Sequence, residues 1–549
     1  MFKRILIILL VTLFTHNIAT AQHQGHRGAH NEKNAQLLPE MGTHHHPVTT
    51  SSAEAQKFFD QGLLLLYAFN HDEAARSFKR AVELDANLAM GWWGIALANG
   101  SNYNLGPIPE REKAAYEAIQ KALTLISKVS EKERDYINAL AKRYSIDPNS
   151  DLAKQAVAYK SAMGELVKKY PDDLDAATLY AESAMNLRPW RLWYKDGKPA
   201  EGTEEIVAVL ESVLKRKPDH LGANHYYIHA VEASPNPQRA LPSAMRLGKL
   251  APGAGHLVHM PAHITIQTGD YEFSLKSNED AETADRNYLE KTGTKSGIYP
   301  AMYYSHNIDF IVEAGSRAGR YEDSKRAAER LASNVRPHLK DMPMIEFFLP
   351  RAIFVSVRFN RWDDMLKMPE PDQSAPVTRA LWHYGRGVAF AATGKIADAE
   401  KARQSLKSAQ ERLPADAPYG NNKVGDVLTV AGLVLDAKIA QARNDSNKAI
   451  ELFEKGVQAQ DALAYDEPPG WHYPVRESLG ASLIRAGKFT EAEKVFRDGL
   501  ERMPRDGRLL FGLHESLKRQ GKDQAARLIW MEFESAWKHA DTKLRFEDL

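Results

Sequence analysis

The stretch from Asn224 to Ile264 carries His225, His229, His256, His259 and His263, out of 20 histidines in the chain. HYYIH and HMPAH are one phrase displaced by 34 residues, since His225 pairs with His259 and His229 with His263. Steps of three or four residues keep side chains on one face of a helix. His225, His229 and Glu232 therefore share a stripe, and so do His306, Asp309 and Glu313. Imidazole and carboxylate without thiolate suit a divalent transition metal, Zn or Cu first and Fe also. We expect His225, His229, His259 and His263 as ligands, with His256, His306 and Asp309 completing the set. Glu232 and Glu313 are the candidate catalytic or orienting acids. These groups outnumber the four ligands of a closed zinc site, which leaves room for a second metal or an open position. No HExxH motif is present. The alternative for the same residues is a metal-free polar groove that binds a peptide or partner protein. Pro261 interrupts the helical spacing. It predicts a helix that starts near Met260, with His256 and His259 on an irregular lead-in.

The chain that must position these groups has 549 residues, a net charge of +1 and 43% hydrophobic residues. Near-neutral charge argues against a nucleic-acid partner. The absence of cysteine excludes disulfides, thiolate metal sites and a cysteine nucleophile. Lys3 and Arg4, the apolar run Ile5 to Phe14, and Ala19-Thr20-Ala21 read as a Sec signal peptide over 1–21 without a lipobox. The expected location is periplasmic or secreted, and after cleavage the chain is not an integral membrane protein. Residues 22–43 read as a disordered, histidine-containing leader. His44, His45 and His46 follow it as accessory metal-binding candidates beside the first helix, for which the run Thr49-Thr50-Ser51-Ser52 supplies an N-cap.

The elements themselves repeat. YAFNHDEAARSFKRAVELDAN (Tyr67 to Asn87) and IRAGKFTEAEKVFRDGLERMP (Ile484 to Pro504) share small residues, a large aromatic and an acidic or proline end. Gly487 and Gly521 are 34 apart, as are Asn360 and Gly394. This pattern resembles the tetratricopeptide repeat (TPR), over about nine or ten repeats. The resemblance implies an all-α solenoid of stacked helix hairpins with a concave groove. It also implies that the second, fifth, ninth and twelfth repeat positions line the groove. The histidine and acid stripes fall on those positions in three successive repeats. HHHPV, LRPW, NHYYIHAVE and GHLVHMPAHI further resemble an uncharacterised group of secreted bacterial TPR proteins, which supplies no mechanism.

The organisation expected is N-terminal repeats over 44–220, a histidine- and acid-rich centre over 221–335, and C-terminal repeats over 336–549. An insertion, LRPWRLWYKDGKP, enters the N-terminal part. Its Arg188, Trp190 and Trp193, with Glu182 on the same wall, are the candidate substrate-binding residues. A second insertion, DEPPGWHYP, either brings Trp471 and His472 to the groove or caps a hairpin, the cap being the preferred reading, and the repeats after Asn421 read as plain scaffold. Two functions follow. One is a metal-dependent hydrolase or oxidoreductase acting on a small or peptide substrate. The other is a non-catalytic scaffold that binds a peptide or partner.

Overall fold

The computed structural model describes residues 35–147 and 149–549. The expected signal peptide and most of the leader lie outside the described residues. Most of the described chain is helical, and its strands are one short hairpin, Pro418–Tyr419 with Asn422–Lys423. Helices pair as antiparallel hairpins, for example Ala53–Tyr67 with His71–Leu84, Val475–Arg485 with Phe489–Arg502, and Gly507–Arg519 with Asp523–Ala536. Ser52 caps the first helix, its hydroxyl accepting from the Ala55 N–H at 3.1 Å. The 34-residue period is visible in the backbone. Gly487 and Gly521 turn their hairpins at φ +74° and +70°, a left-handed position where glycine has no Cβ penalty. Asn360, one period before Gly394, adopts the same region at φ +54°.

The small and large residues of the pattern interlock. A Cβ on Gly62 or Gly94 would lie 2.7 or 2.5 Å from the Phe78 ring. In the C-terminal repeats, Gly480 and Gly512 clasp Phe496 at 2.4 and 2.2 Å by the same measure. The fold is thus a TPR-like all-α solenoid, stabilised mainly by burial of these interlocked faces.

Two features depart from the sequence expectations. Residues 35–43 are packed rather than disordered: Leu38 and Met41 are buried. Gln61 accepts from the Leu38 N–H at 2.7 Å and donates to the Gln36 carbonyl. The solenoid also curves far enough for its C-terminal half to meet the centre. Tyr271 donates to the Pro504 carbonyl at 2.8 Å, and Trp537 fills the space beside Gly319. The concave wall around the histidines is covered by the chain itself.

Candidate metal centre

Three helical segments carry the histidines: Leu221–Val231, the broken pair Gly255–His259 and Pro261–Thr268, and Tyr304–Arg317. Pro261 sits at the first position of its segment, where a missing N–H is tolerated. The helix therefore continues through Met260 with one disturbed turn. His256 and His259 stay on the inner face instead of scattering.

The result is six imidazoles in two triads. His225, His229 and His256 bring one nitrogen each within 4.8 Å of the others, and His259, His263 and His306 do the same. Five of the six are buried and His306 is half-buried. Four outer nitrogens are tied, while His256 Nδ1 has no hydrogen-bond partner. His225 Nδ1 donates to the Tyr67 carbonyl at 2.5 Å. His259 Nδ1 meets Asn278 Oδ1 at 2.6 Å, while the Asn278 amide nitrogen donates to the Ser274 carbonyl. Glu232 takes His229 Nδ1 on one oxygen at 2.9 Å and His263 Nδ1 on the other at 2.5 Å.

A proton held at Nδ1 leaves the Nε2 lone pair bare and aimed inward, as in carboxylate–histidine–metal arrangements. The inner nitrogens then approach one another. His225 and His256 Nε2 are 3.2 Å apart, His263 and His306 Nε2 3.5 Å, and His259 and His263 Nε2 2.7 Å. Facing lone pairs repel unless a cation lies between them. Nitrogens bound tetrahedrally at about 2.0–2.1 Å lie roughly 3.3 Å from each other, close to two of these spacings. His229 Nε2 has no hydrogen-bond partner at all.

The electrostatics keep most of the set neutral. Burial and then neighbouring imidazoles hold His225, His229, His256, His259 and His306 well below the ordinary histidine range. His263 differs. Burial opposes its charge, but Glu467 and Glu232 outweigh it and raise the ring to about 10. Positive charge is favoured there, whether from a proton or a metal. Glu467, pressed against His263 Nδ1, is itself pushed up to about 8 by burial and then by Glu232.

Each triad carries a phenylalanine. Phe69 lies over His225, His229 and His256 with ring centroids 4.5, 5.6 and 5.5 Å away. Phe310 covers His259, His263 and His306 at 4.7, 5.0 and 5.0 Å. Phe69 adopts φ +56° and Trp190 φ +60°. Bulky residues seldom take this region, and such strain persists where surroundings enforce it. Both rings press on His229.

Comparison with known proteins adds little to this geometry. No family model matches the chain. An uncharacterized protein of Aquifex aeolicus (strain VF5) is 44% identical over 62 residues, which is 11% of this chain and 8% of that protein. Solved structures similar to the chain include the human IFIT1 dimer with m7Gppp-AAAA (14% identity, 90% of this chain and 92% of that one, TM-score 0.32). The APC/C hetero-tetramer Cut9–Hcn1 gives 11%, 88%, 76% and 0.32. Yeast Tom70 gives 12%, 90%, 93% and 0.30. At such scores the fold assignment rests on the helix hairpins described above.

Several expected site residues lie elsewhere. Asp309 is held by Arg351 through two parallel bonds of 2.7 and 2.8 Å, so it does not join the histidines. Glu313 is taken by Arg317 and by His472, 2.7 Å away. It does not reach the cluster as an acid or base. Glu232 is at the cluster, but both of its oxygens hold Nδ1 protons, which makes it an orienting group. Of the LRPW residues, Trp190 reaches the site, and Trp193 Nε1 donates to the Ala230 carbonyl at 2.7 Å. Arg188 pairs with Glu201 in solvent, and Glu182 turns to Asn186. His44 and His46 settle on Asp175, with Nε2 and Nδ1 at 3.1 and 2.8 Å, and His45 on Asp60. None of the three enters the cluster. DEPPGWHYP is not a cap: it carries Glu467 to His263 and His472 to Glu313. Glu467, Phe69, Phe310 and Asn278 had no sequence mark. Only the unusual composition of the second insertion hinted at the first of them.

Proposed function

We propose that the histidine cluster is a binuclear transition-metal centre of two three-histidine sites, and that the protein is an exported metal-dependent oxidoreductase acting on a small molecule. The observation that carries this is the convergence of six imidazoles, four of which have Nδ1 tied outward so that Nε2 faces the cluster. Three protein ligands per ion leave open positions, as catalytic rather than structural sites do. An imidazole-only donor set within an aromatic collar suits copper, with zinc and iron as the other candidates. Hydrolysis is less well supported, because Glu232 is bound to His229 and His263, and Glu467 presses on the same His263. That leaves no carboxylate free to take a proton from water. A long peptide track is also less well supported, because the groove wall at the histidines is covered by residues 464–474 and their neighbours. Among the described residues no helix is long and apolar enough to cross a membrane. Export would rest on the segment 1–21.

Elemental analysis of the mature protein after loading with Cu or Zn should give about two ions per chain. His229→Ala and His263→Ala should each lose at least one. Sub-stoichiometric metal that is identical in all three proteins overturns the reading. Loss of the electron paramagnetic resonance signal of the Cu(II) protein, through coupling of two adjacent ions, would separate a copper pair from two isolated sites.

A further inference from the structure

The two triads meet the outside differently. Among the described residues, the rings against the first triad are Phe69, Tyr103, Tyr226, Tyr303 and Trp190. The first four are buried, and Trp190 alone is half-buried. At the second triad it is a ligand itself, His306, that is half-buried. What reaches the surface beside the first triad is therefore an indole rather than an imidazole. Trp190 meets His229 edge-on at 6.1 Å and stacks on Tyr103 at 5.3 Å with the planes 29° apart. Tyr103 meets His229 in turn at 5.4 Å. Indole, phenol and imidazole thus form a closed triangle of π contacts. Burial, then Glu232, raises the Tyr103 phenol well above its usual range, so this ring takes part as a π surface and not as a phenolate. The insertion that carries Trp190 is pinned. The Ala200 N–H and the Thr203 hydroxyl both donate to the Leu192 carbonyl, at 2.8 and 2.7 Å, and Lys195 reaches across to the Ala462 carbonyl beside the 464–474 segment. Trp190 itself sits at φ +60°. Strain held by so many anchors is the mark of a side chain that must be in one place.

We propose that Trp190 is an electron port: a one-electron donor collides with the indole at the surface, and its electron passes through the Trp190–Tyr103 pair to the ion held by His229. The inference rests on the metal reading above and narrows its substrate class to donors that are oxidised from outside, without entering the protein. The donor gives up one electron, that electron ends on the ion, no bond forms or breaks, and no proton moves. The covered groove wall is then no obstacle, because the donor needs contact with one ring and not a cavity.

The test loads the mature chain with Cu(II) and mixes it with hexaammineruthenium(II) in a stopped-flow instrument. This reductant has a filled, inert coordination sphere, so it delivers electrons without binding the ion. Trp190→Leu removes the ring and should slow reduction several-fold at unchanged copper content. Trp190→Tyr returns a ring and should recover part of the rate. Tyr194→Leu, at a residue of the same insertion that is 58% exposed, should leave the rate unchanged. A second readout needs no turnover. The tryptophan emission lost in Trp190→Tyr should be the component that Cu(II) quenches and Zn(II) does not. An unchanged or faster rate in folded, copper-loaded Trp190→Leu overturns the proposal. So does copper quenching that is the same with and without Trp190, and this comparison decides if Trp190→Leu fails to fold. A chain that retains no copper overturns the metal centre and the port together. Retained copper with either of the other two results overturns the port alone.

Discussion

The helix Tyr304–Arg317 places His306, Asp309 and Glu313 along one face, yet the two ends of that stripe have different fates. His306 joins an imidazole cluster whose inner nitrogens face one another. Asp309 and Glu313 enter a buried ion network. Arg351 grips Asp309, and Arg317 and His472 hold Glu313. Arg358 bridges Asp506 and Glu477, each at 3.0 Å. Buried carboxylates need a counter-charge; Arg351 of the C-terminal repeats supplies it to Asp309, and Arg317 of the same helix to Glu313. The imidazoles receive no such partner on their inner side. Repeat register decides which face a residue occupies. The presence of a counter-charge beside it decides whether it becomes scaffold or ligand.

That contrast can be broken most severely on the ionic side. Arg351→Met leaves Asp309 buried and unpaired, and should lower unfolding stability by about 3–5 kcal/mol in urea titrations. Adding Asp309→Asn should restore much of the loss. If Asp309 is scaffold, Asp309→Asn alone leaves the metal count unchanged, where His259→Ala removes an ion.

A second test concerns Asp285, which burial pushes up to about 7 despite hydrogen bonds from Tyr299 and Asn307. Its folded pKa lies above the unfolded value. The protonated acid is therefore tolerated at low pH, and stability is lost as pH rises from about 4 to about 7, then levels off. Asp285→Asn should remove up to about 3 kcal/mol of that slope, read from urea midpoints between pH 4 and 8.

Phe310→Leu tests the collar over the second triad. It should cost about 1–2 kcal/mol and weaken metal retention against a chelator, while leaving the first triad's ion in place. At the small end, Arg188→Ala should change stability by less than about 0.5 kcal/mol, because its partner Glu201 is solvent-exposed.

The repeat and the six histidines were legible because both are local. Turn positions such as Asn360 and Gly394, and ligands spaced by three and four, follow from helical geometry alone. Pro261 misled in part, since its effect depends on whether it opens a new helical segment or breaks an old one, and neighbouring turns decide that. Arg351, Glu467 and Phe69 were not legible as site residues. Arg351 reaches Asp309 from the next hairpin, while Glu467 and Phe69 meet the histidines only because the superhelix brings distant repeats together, and no local pattern encodes that curvature. Glu232 lies on the stripe that the spacing marks, and with both oxygens on Nδ1 protons it orients His229 and His263.

The reach of the 464–474 segment sets an order of events. The helices bearing the histidines precede it by some two hundred positions in the chain. A ribosome or an export pore delivers them first, as a ring of bare imidazoles without Glu467 at His263 and without His472 behind Glu313. The finished pocket appears only when the last repeats have folded back. Whatever the histidines hold is therefore enclosed late, and a chain cut short before Tyr465 would retain the ligands and lose the lid.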